Sequence, residues 1–315
     1  MNVPDDYQQA LAQGYLPIRE VARSTGVNPV TLRAWERRYG LIVPHRTPKG
    51  HRLYSPANVE RIQAVLAWLA RGVAVSQVKE LLEQHTAVAP QGGNLWQEQR
   101  QALLHSISRQ AERQLDEQFN RALALYPPRT LCQQLLLPLL AELDQRWHGA
   151  PFGAQLERVF WHSWLRSKLG ARLYHNNRQQ AGAALLLVNL SDLPLEPNLW
   201  LCAWLASSAD CPVQVFDWPV PAAELLLAVE HSAPRALLLY AGQALDNAQL
   251  RRELPRLHSA CGVPVLLVGH ATQIHAEELQ HLPSLHLARD PLDAEQLLQR
   301  LGLLGEPQKD TPCAN

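Results

Sequence analysis

Four short apolar runs constrain the fold of the last third of the chain more than any other feature. They are AALLLVNL, VQVFDW, RALLLYAG and VPVLLVGH, at residues 183–190, 213–218, 235–242 and 263–270. Pro or Gly bounds the runs, and helical stretches such as AAELLLAVEHS lie between them. Short buried strands that alternate with helices are typical of a parallel sheet with crossover connections. The pattern predicts a doubly wound, flavodoxin- or Rossmann-like domain over residues 181–304, with LHLAR as a candidate fifth strand.

Helical patterning fills the middle of the chain. Apolar residues recur at helical spacing in ERQLDEQFNRALALY, and three further amphipathic stretches on short loops complete residues 95–176. Four such helices predict an antiparallel bundle. The preceding segment TAVAPQGGN, at 86–94, contains Pro, two Gly and no charge, which predicts a linker. Residues 305–315 are predicted to be a disordered tail.

The first part of the chain carries an excess of positive charge that the rest of the chain cancels. The whole sequence has 29 Lys+Arg and 29 Asp+Glu. From Tyr15 to Glu80 there are 11 Lys+Arg against 4 Asp+Glu, a net of +7, so the remainder has 18 against 25, a net of −7. A basic head on an acidic body predicts a polyanionic partner for the head.

Within this head, two short helices are predicted on either side of a tight turn. LPIREVARSTGV predicts the first helix, with Pro17 in its first turn and Gly26 at its end. Asn28 is the predicted N-cap of the second helix, and Pro29 its first residue. One face of the second helix is basic, with Val30, Arg33, Ala34 and Arg37 on it and Thr31 and Arg38 on its flanks. The opposite face is apolar and is predicted to pack into the core through Leu32, Trp35 and Tyr39. A basic face opposite an apolar face suits insertion into the major groove of DNA.

A basic hairpin follows the second helix. In LIVPHRTPKGHRLYS two extended runs flank the turn TPKG. The segment carries three cationic residues and two histidines, which are His45, Arg46, Lys49, His51 and Arg52. It predicts a β-hairpin wing that lays cations along phosphates. An ordinary solvated helix face is the alternative for any single arginine, but helix, turn, helix and basic hairpin in this order favour a DNA-binding head.

The segment REVARSTGVNPVTLRAWERRYGLIVPHRTPKGHRLYS resembles the DNA-binding domain of the MerR family of bacterial transcription regulators. Within that family it is most similar to the subgroup of the CarH/LitR light-responsive repressors and the MlrA-type activators. The resemblance implies a winged helix-turn-helix domain over 15–85 that binds double-stranded DNA, as a dimer, at an inverted repeat. It implies a groove or backbone contact for Arg33 and phosphate contacts for Arg46, Arg52 and Tyr54. The full predicted DNA-binding set is Thr31, Arg33, Arg37, Arg38, Arg46, Lys49, His51, Arg52 and Tyr54.

The helical segment and the doubly wound domain together resemble the two-part cobalamin-binding module of CarH/LitR proteins. The module's bundle motif W-x9-E-H is matched by Trp147 and Glu157, but Arg158 replaces the His. These residues are either a modified cofactor cap or, the favoured reading, a core aromatic beside a solvated Glu–Arg pair. The module's cobalt-ligating motif, E/D-x-H-x-x-G, lies in the loop after the first strand, and here that loop reads SDLPLEPNLW. Here Asp192 is in the acidic position, while Pro194 replaces the His and Pro197 replaces the Gly.

A third departure lies at the ends of two later strands. The module has small residues there, whereas this chain has Tyr240 and His270 beside its glycines. Proline offers no nitrogen ligand, and bulky side chains would narrow the groove for the nucleotide tail. The sequence therefore predicts no cofactor, and a C-terminal region that senses or oligomerises. The alternative is a cobalamin-dependent, light-sensing repressor with nonstandard ligation. A cobalamin-dependent enzyme is disfavoured because no substrate domain is left over.

Other chemistry is not indicated. The 13 His and five Cys form no HExxH, CxxC or zinc-type spacing, and no G-x-S-x-G is present. Neither a metal site nor catalysis is predicted. The N-terminus lacks a signal-peptide pattern, and the apolar runs are too short for a membrane span. We therefore expect a cytoplasmic protein with no membrane partner. The predicted partners are DNA, a second copy or more of this chain, RNA polymerase at promoters and a protein signalling partner.

Overall fold

The structure, a computed structural model, describes residues 6–84, 93–191, 193–282 and 284–305. The chain divides into two units, residues 1–158 and residues 159–315. Most of the predicted linker and of the predicted tail lies outside the described residues. Gly93 and Asn94 of the predicted linker begin a helix instead. Gly305, placed in the predicted tail, donates a backbone hydrogen bond to the oxygen of Ala209.

Five helices and a small antiparallel sheet are described over residues 6–84, which include the basic head. The helices are α1 (Asp6–Ala12), α2 (Ile18–Thr25), α3 (Pro29–Ala34, continued by a π-helical turn over Trp35–Tyr39), α4 (Pro56–Ala70) and α5 (Val75–Gln84). The strands are β1 (Leu16–Pro17), β2 (His45–Arg46) and β3 (Arg52–Tyr54), in the order β1-β3-β2.

Local signals place the helix ends of the head. Gly26 closes α2 in the left-handed conformation, with φ of 70°. The Asn28 side chain accepts from the amide of Thr31 and caps α3. Ser55 caps α4 in a reciprocal arrangement with Asn58. One expectation was wrong: Pro17 lies before the first turn of α2, because its extended backbone pairs with Leu53 in the sheet.

A helical segment follows the head. Its helices are α6 (Gly93–Ser108), α7 (Glu112–Leu125), α8 (Pro128–Leu131), α9 (Leu137–Trp147) and α10 (Ala154–Asn177). Helices α6 to α9 lie in the first unit, and the boundary between the units falls inside α10. Hydrogen bonds join this segment to the head within the first unit. Among them, Trp96 Nε1 donates to the oxygen of Gly72, and Gln134 Nε2 to that of Ala70, both at 2.9 Å. The four-helix bundle and the domain boundaries stay predictions.

Two helices are continuous through a proline because a π-helical turn precedes it. The turn Cys132–Leu136 joins α8 to α9, whose second residue is Pro138. The turn Gln249–Glu253 leads in the same way into α13 (Leu254–Ala260), whose second residue is Pro255. Proline has no amide hydrogen and its ring clashes with the preceding turn, so a widened turn accommodates it.

A five-stranded parallel sheet forms the second unit's core. Its strands are β4 (Leu185–Asn189), β5 (Val213–Phe216), β6 (Ala236–Tyr240), β7 (Val265–Val268) and β8 (Leu285–Ala288). They pair in the order β5-β4-β6-β7-β8, with Leu187 opposite both Val215 and Leu238. The predicted strands, including the fifth, are confirmed, as is the fold class: a multidomain chain with α and doubly wound α/β parts. The order reverses at β4, where ligands commonly bind in such sheets.

The remaining helices cover the sheet or lie at its edges. They are α11 (Pro197–Ser208), α12 (Ala222–Ser232), α14 (Ala271–Ile274), α15 (Ala276–Leu279) and α16 (Pro291–Arg300), together with α13. Helix α11 is buried at every position from Leu199 to Ser207. Sequence reasoning treated its first residues as part of a loop. They are helical because Pro197 occupies the first helical position, where a missing amide hydrogen costs nothing.

Candidate nucleic-acid interface

Helix α3, with the π turn that continues it, presents one basic surface and one buried side. Arg33, Arg37 and Arg38 are exposed. Leu32 and Trp35 have no exposed surface, as predicted, whereas Tyr39 is only half-buried. The difference arises because the helix widens into the π turn at Trp35 and ends at Gly40, which has φ of 56°. The 3.6-residue periodicity used for the prediction does not extend into a π turn.

The wing is a two-stranded hairpin closed by a hydrogen-bonded turn. The amide of Gly50 donates to the oxygen of Thr47 at 2.8 Å, and that of Thr47 to the oxygen of His51 at 3.0 Å. Gly50 has φ of 83°, a conformation that L side chains rarely adopt. Arg46, Lys49 and His51 are exposed on this hairpin, and Arg52 is mostly buried. His45 is exposed as well, so the structure displays four of the five predicted wing residues to solvent.

One carboxylate joins the helix to the wing. Glu36 Oε1 accepts from Arg46 Nη2 at 2.5 Å, and Oε2 accepts from Arg52 Nε at 2.6 Å. Burial raises the pKa of Glu36, but the hydrogen bonds from Arg52 and Arg46 outweigh it, so the pKa lies below the usual value. Sequence reasoning missed Glu36 because no periodicity rule connects residues 10 and 16 positions apart on different elements.

Thr31 and Tyr54 depart from the predicted interface. Both are fully buried, and neither hydroxyl has a hydrogen-bond partner within the described part of the chain. Burial, reinforced by the charge of Glu36, raises the pKa of Tyr54 to about 12. A side chain without exposed surface cannot touch a phosphate, so the structure places both residues beneath the surface that the arginines form. Their predicted DNA contacts do not fit this conformation.

The positions that resemble a cofactor cap are bonded to one another. Trp147 Nε1 donates to Glu157 Oε2 at 3.1 Å, and Arg146 Nη2 to Glu157 Oε1 at 2.9 Å. The Arg158 guanidinium lies 5.3 Å from the centre of the Trp147 ring. Trp147 is 2% exposed. The core-aromatic reading fits this burial, but Glu157 is not paired with Arg158 in solvent as that reading expected, because it is bonded to Trp147 and Arg146.

The described residues of the loop after β4 include no histidine that could ligate cobalt. Asp192 lies outside the described residues. Pro194 is exposed, and Pro197 begins α11. At the neighbouring strand end, Glu196 is buried beside Gly242, where an added Cβ would lie 2.9 Å from the glutamate Oε2. None of the described loop side chains offers an imidazole in place of the missing His.

Tyr240 fills the space at the carboxyl ends of β6 and β7. It is 3% exposed, and its ring would lie 3.3 Å from a Cβ added at Gly269 and 3.5 Å from one added at Gly242. Its hydroxyl is hydrogen-bonded to the Asn198 side chain, and burial raises its pKa well above the usual value. The Tyr240 ring therefore takes up space beside the two glycines at this edge of the sheet.

The described part of the chain offers neither a cluster of metal ligands nor an exposed cysteine. It contains no group of three or more His, Cys, Asp or Glu residues placed to hold a metal ion. Four cysteines are buried, and burial raises the pKa of the Cys202, Cys211 and Cys261 thiols. Among the described helices, none is long and apolar enough to cross a membrane.

These features define a winged helix-turn-helix protein of the nucleic-acid-binding class, with a helical segment and a doubly wound domain attached. Comparison with known proteins agrees: residues 16–85 match the MerR HTH family regulatory proteins. The HTH-type transcriptional regulator MlrA of Escherichia coli (strain K12) is 32% identical over 234 residues, 74% of this chain and 90% of that protein. The chain belongs to the MerR family of helix-turn-helix regulators.

Two other relatives match this chain over different shares of its length. The HTH-type transcriptional repressor CarH of Myxococcus xanthus is 26% identical over 309 residues, 91% of this chain and 99% of that protein. MlrA of Salmonella typhimurium (strain SL1344) is 42% identical over 127 residues, 40% of this chain, so the match spans about half (51%) of that relative's length. A solved cobalamin-binding protein from Desulfitobacterium hafniense DCB-2 aligns at a TM-score of 0.34 and 13% identity, over 68% of this chain and 93% of that one.

Proposed function

We propose that the protein is a sequence-specific DNA-binding transcriptional regulator that acts through the basic surface of its head. One observation carries the proposal: Arg33, Arg37 and Arg38 are exposed on the helix after the turn, and the same helix is bonded to the cationic wing through Glu36. A helix with cations on its exposed side suits the major groove, and wing cations suit the flanking phosphates. The head's net charge of +7 supplies attraction to DNA.

The proposed mode of binding is as a homodimer, or a higher homo-oligomer, on an inverted repeat at a promoter. Membership of the MerR family supports this, and a two-fold protein dimer matches two half-sites of opposite direction. Because the proposed binding site lies at a promoter, RNA polymerase is a further proposed partner. The helical segment and the doubly wound domain form the proposed sensing and oligomerisation region, which is where a protein signalling partner would act.

We propose further that this region does not bind cobalamin in the base-off, His-on mode. The exposed Pro194 stands where the module has its ligating His, and Tyr240 occupies the crevice at the strand ends. Trp147 is buried and bonded to Glu157 rather than open to a ligand. The competing function is that of a cobalamin-dependent repressor with nonstandard ligation. Its only support is the sequence similarity to the CarH relative.

The protein is proposed not to be an enzyme and to work in the cytoplasm. The buried cysteines and the lack of a metal-type cluster in the described residues support the first point. Its family of transcription regulators, whose target is bacterial DNA, supports both.

Binding to selected DNA tests the proposed function. Full-length protein would be used to enrich duplexes from a random-sequence pool, and the dissociation constant of the enriched duplex would be measured across salt concentrations. We expect a shared inverted repeat and a steep salt dependence. Arg33→Ala should weaken binding about tenfold or more and lower the salt slope by about one, since one phosphate or groove contact is lost.

Arg113→Ala is the matched control, because Arg113 is an exposed arginine of α7, paired with Glu117, outside the head. It should leave both the affinity and the salt slope unchanged. Failure of the wild-type protein to enrich any duplex would contradict the proposed function. Equal effects of the two substitutions would contradict the assigned surface.

A further inference from the structure

The Glu36 carboxylate lies between two wing arginines, although it belongs to the helix that faces DNA. Its two oxygens bond Arg46 Nη2 and Arg52 Nε at 2.5 Å and 2.6 Å. The side chains of Glu36 and Arg52 are each 14% exposed, while that of Arg46 is 52% exposed. A negative charge in this place is unexpected, because Coulomb repulsion alone disfavours a carboxylate beside the DNA backbone.

We propose that Glu36 is a positioning residue for DNA binding, which holds Arg46 and Arg52 at a fixed distance from the helix that enters the groove. The two arginines then meet the phosphates already ordered, while Arg33 and Arg37 face the groove. This inference rests on the proposed function, since it assigns a role within the same DNA-binding surface.

An arginine side chain has enough hydrogen-bond donors to contact Glu36 and a phosphate at the same time. A guanidinium carries five N–H donors on three nitrogens. The Glu36 contacts engage Nη2 of Arg46 and Nε of Arg52, so other donors of both groups are left for phosphate oxygens. Arg46, which is half-exposed, has the open side that such a contact requires. The carboxylate therefore orients the arginines without using up their donors.

Ordering the arginines before binding has a direct energetic benefit. Long side chains lose rotamer freedom when they are fixed at an interface, and a preorganised partner avoids that cost. Glu36 carries its negative charge at neutral pH: burial raises its pKa, but the hydrogen bonds from Arg52 and Arg46 outweigh burial and hold the pKa below the usual value. The charge-assisted contacts also set the spacing between helix and wing, two elements that contact different parts of the duplex.

The test compares Glu36→Gln with Glu20→Gln in the full-length protein. Both remove one negative charge from the head, but Glu20 is exposed in the first turn of α2. The probe is the duplex enriched by the wild-type protein from the random-sequence pool, measured across salt concentrations. We expect Glu36→Gln to bind about tenfold more weakly and to lower the salt slope by about one to two, since ordered phosphate contacts are lost. Glu20→Gln should bind as tightly as the wild type or slightly more tightly.

Three outcomes would overturn the inference. Tighter binding by Glu36→Gln, with an equal or steeper slope, would show that Glu36 competes with DNA for the arginines. Weaker binding with the wild-type slope, together with a lower unfolding temperature, would show only a loss of folded protein. Failure of the wild type to enrich a duplex would overturn the proposed function, and with it this role. Weaker binding with a lower slope and a wild-type unfolding temperature supports the inference.

Discussion

The indole Nε1 of Trp35 donates a 2.9 Å hydrogen bond to the backbone oxygen of Leu125, 90 residues further along the chain. Trp35 is fully buried and begins the π turn that carries Glu36, Arg37 and Arg38. Leu125 is the last residue of α7, where helix carbonyls have no partner within the helix. The bond therefore connects the π turn that continues α3 to the end of α7 within the first unit.

Trp35→Phe should lower the free energy of unfolding by about 1 to 3 kcal/mol, because the carbonyl of Leu125 loses its donor and some buried volume is lost. Urea unfolding followed by circular dichroism measures this change. Trp68→Phe is the control, since Trp68 is half-buried with the Arg71 guanidinium 4.3 Å from its ring centre. Trp68→Phe should lower the free energy of unfolding by clearly less than Trp35→Phe. Equal losses from the two substitutions would count against a structural role for the Trp35 bond.

Thr31→Val and Tyr54→Phe should leave DNA affinity unchanged. Each removes a buried hydroxyl that has no hydrogen-bond partner among the described residues, and each keeps the shape of the side chain. We expect stability to stay the same or to rise by up to about 1 kcal/mol, because an unsatisfied buried group is removed. Measurement of the dissociation constant of the enriched duplex, alongside thermal unfolding, checks both points. A several-fold loss of affinity in either variant would indicate that the substituted residue contacts DNA.

Alkaline pH should destabilise the first unit through its buried tyrosines. Burial raises the pKa of Tyr126 to about 12, although a hydrogen bond from the Val75 backbone lowers it in part. The unfolded chain loses the phenolic proton near pH 10 and the folded chain near pH 12. This stabilisation is therefore fully present below about pH 10 and is lost as the pH rises to about 12, at a cost of about 3 kcal/mol.

Unfolding measured between pH 8 and pH 12, roughly the range that spans both pKa values, checks this dependence. Tyr126→Phe should flatten the decline, while lowering stability at neutral pH through the lost Val75 contact. Tyr174→Phe, at a tyrosine that is 69% exposed, is the control and should show the wild-type decline. An undiminished decline in Tyr126→Phe would show that other groups cause the alkaline loss.

Cobalamin should not remain bound to the protein. We expect full-length protein incubated in the dark with excess adenosylcobalamin, and then passed over a gel-filtration column, to show no corrin absorbance. Pro194→His should also show none, because restoring the imidazole leaves the Tyr240 ring in the crevice beside Gly242 and Gly269. Near-stoichiometric corrin absorbance in the wild type would favour the competing repressor function with nonstandard ligation.

The sequence predicted most elements of the second unit because their signals are local. The five strands lie inside the predicted apolar runs, and the helix AAELLLAVEHS has the bounds Ala222–Ser232. Helix α11 was missed because a helix buried on all sides has no amphipathic period, and Pro197 suggested a loop. The widened turns before Pro138 and Pro255 have no signature in a period of 3.6 residues.

The sequence by itself determined the order of the elements, the basic head and the missing imidazole at Pro194, because propensity, capping, charge and residue identity are properties of short stretches. Only the tertiary structure decided that Thr31 and Tyr54 are buried and that Arg46 and Arg52 share the carboxylate of Glu36. Only it decided that Tyr240 occupies the strand-end crevice. Burial and ion pairing depend on distances between side chains far apart in the chain, and those distances are set by the packing of whole elements.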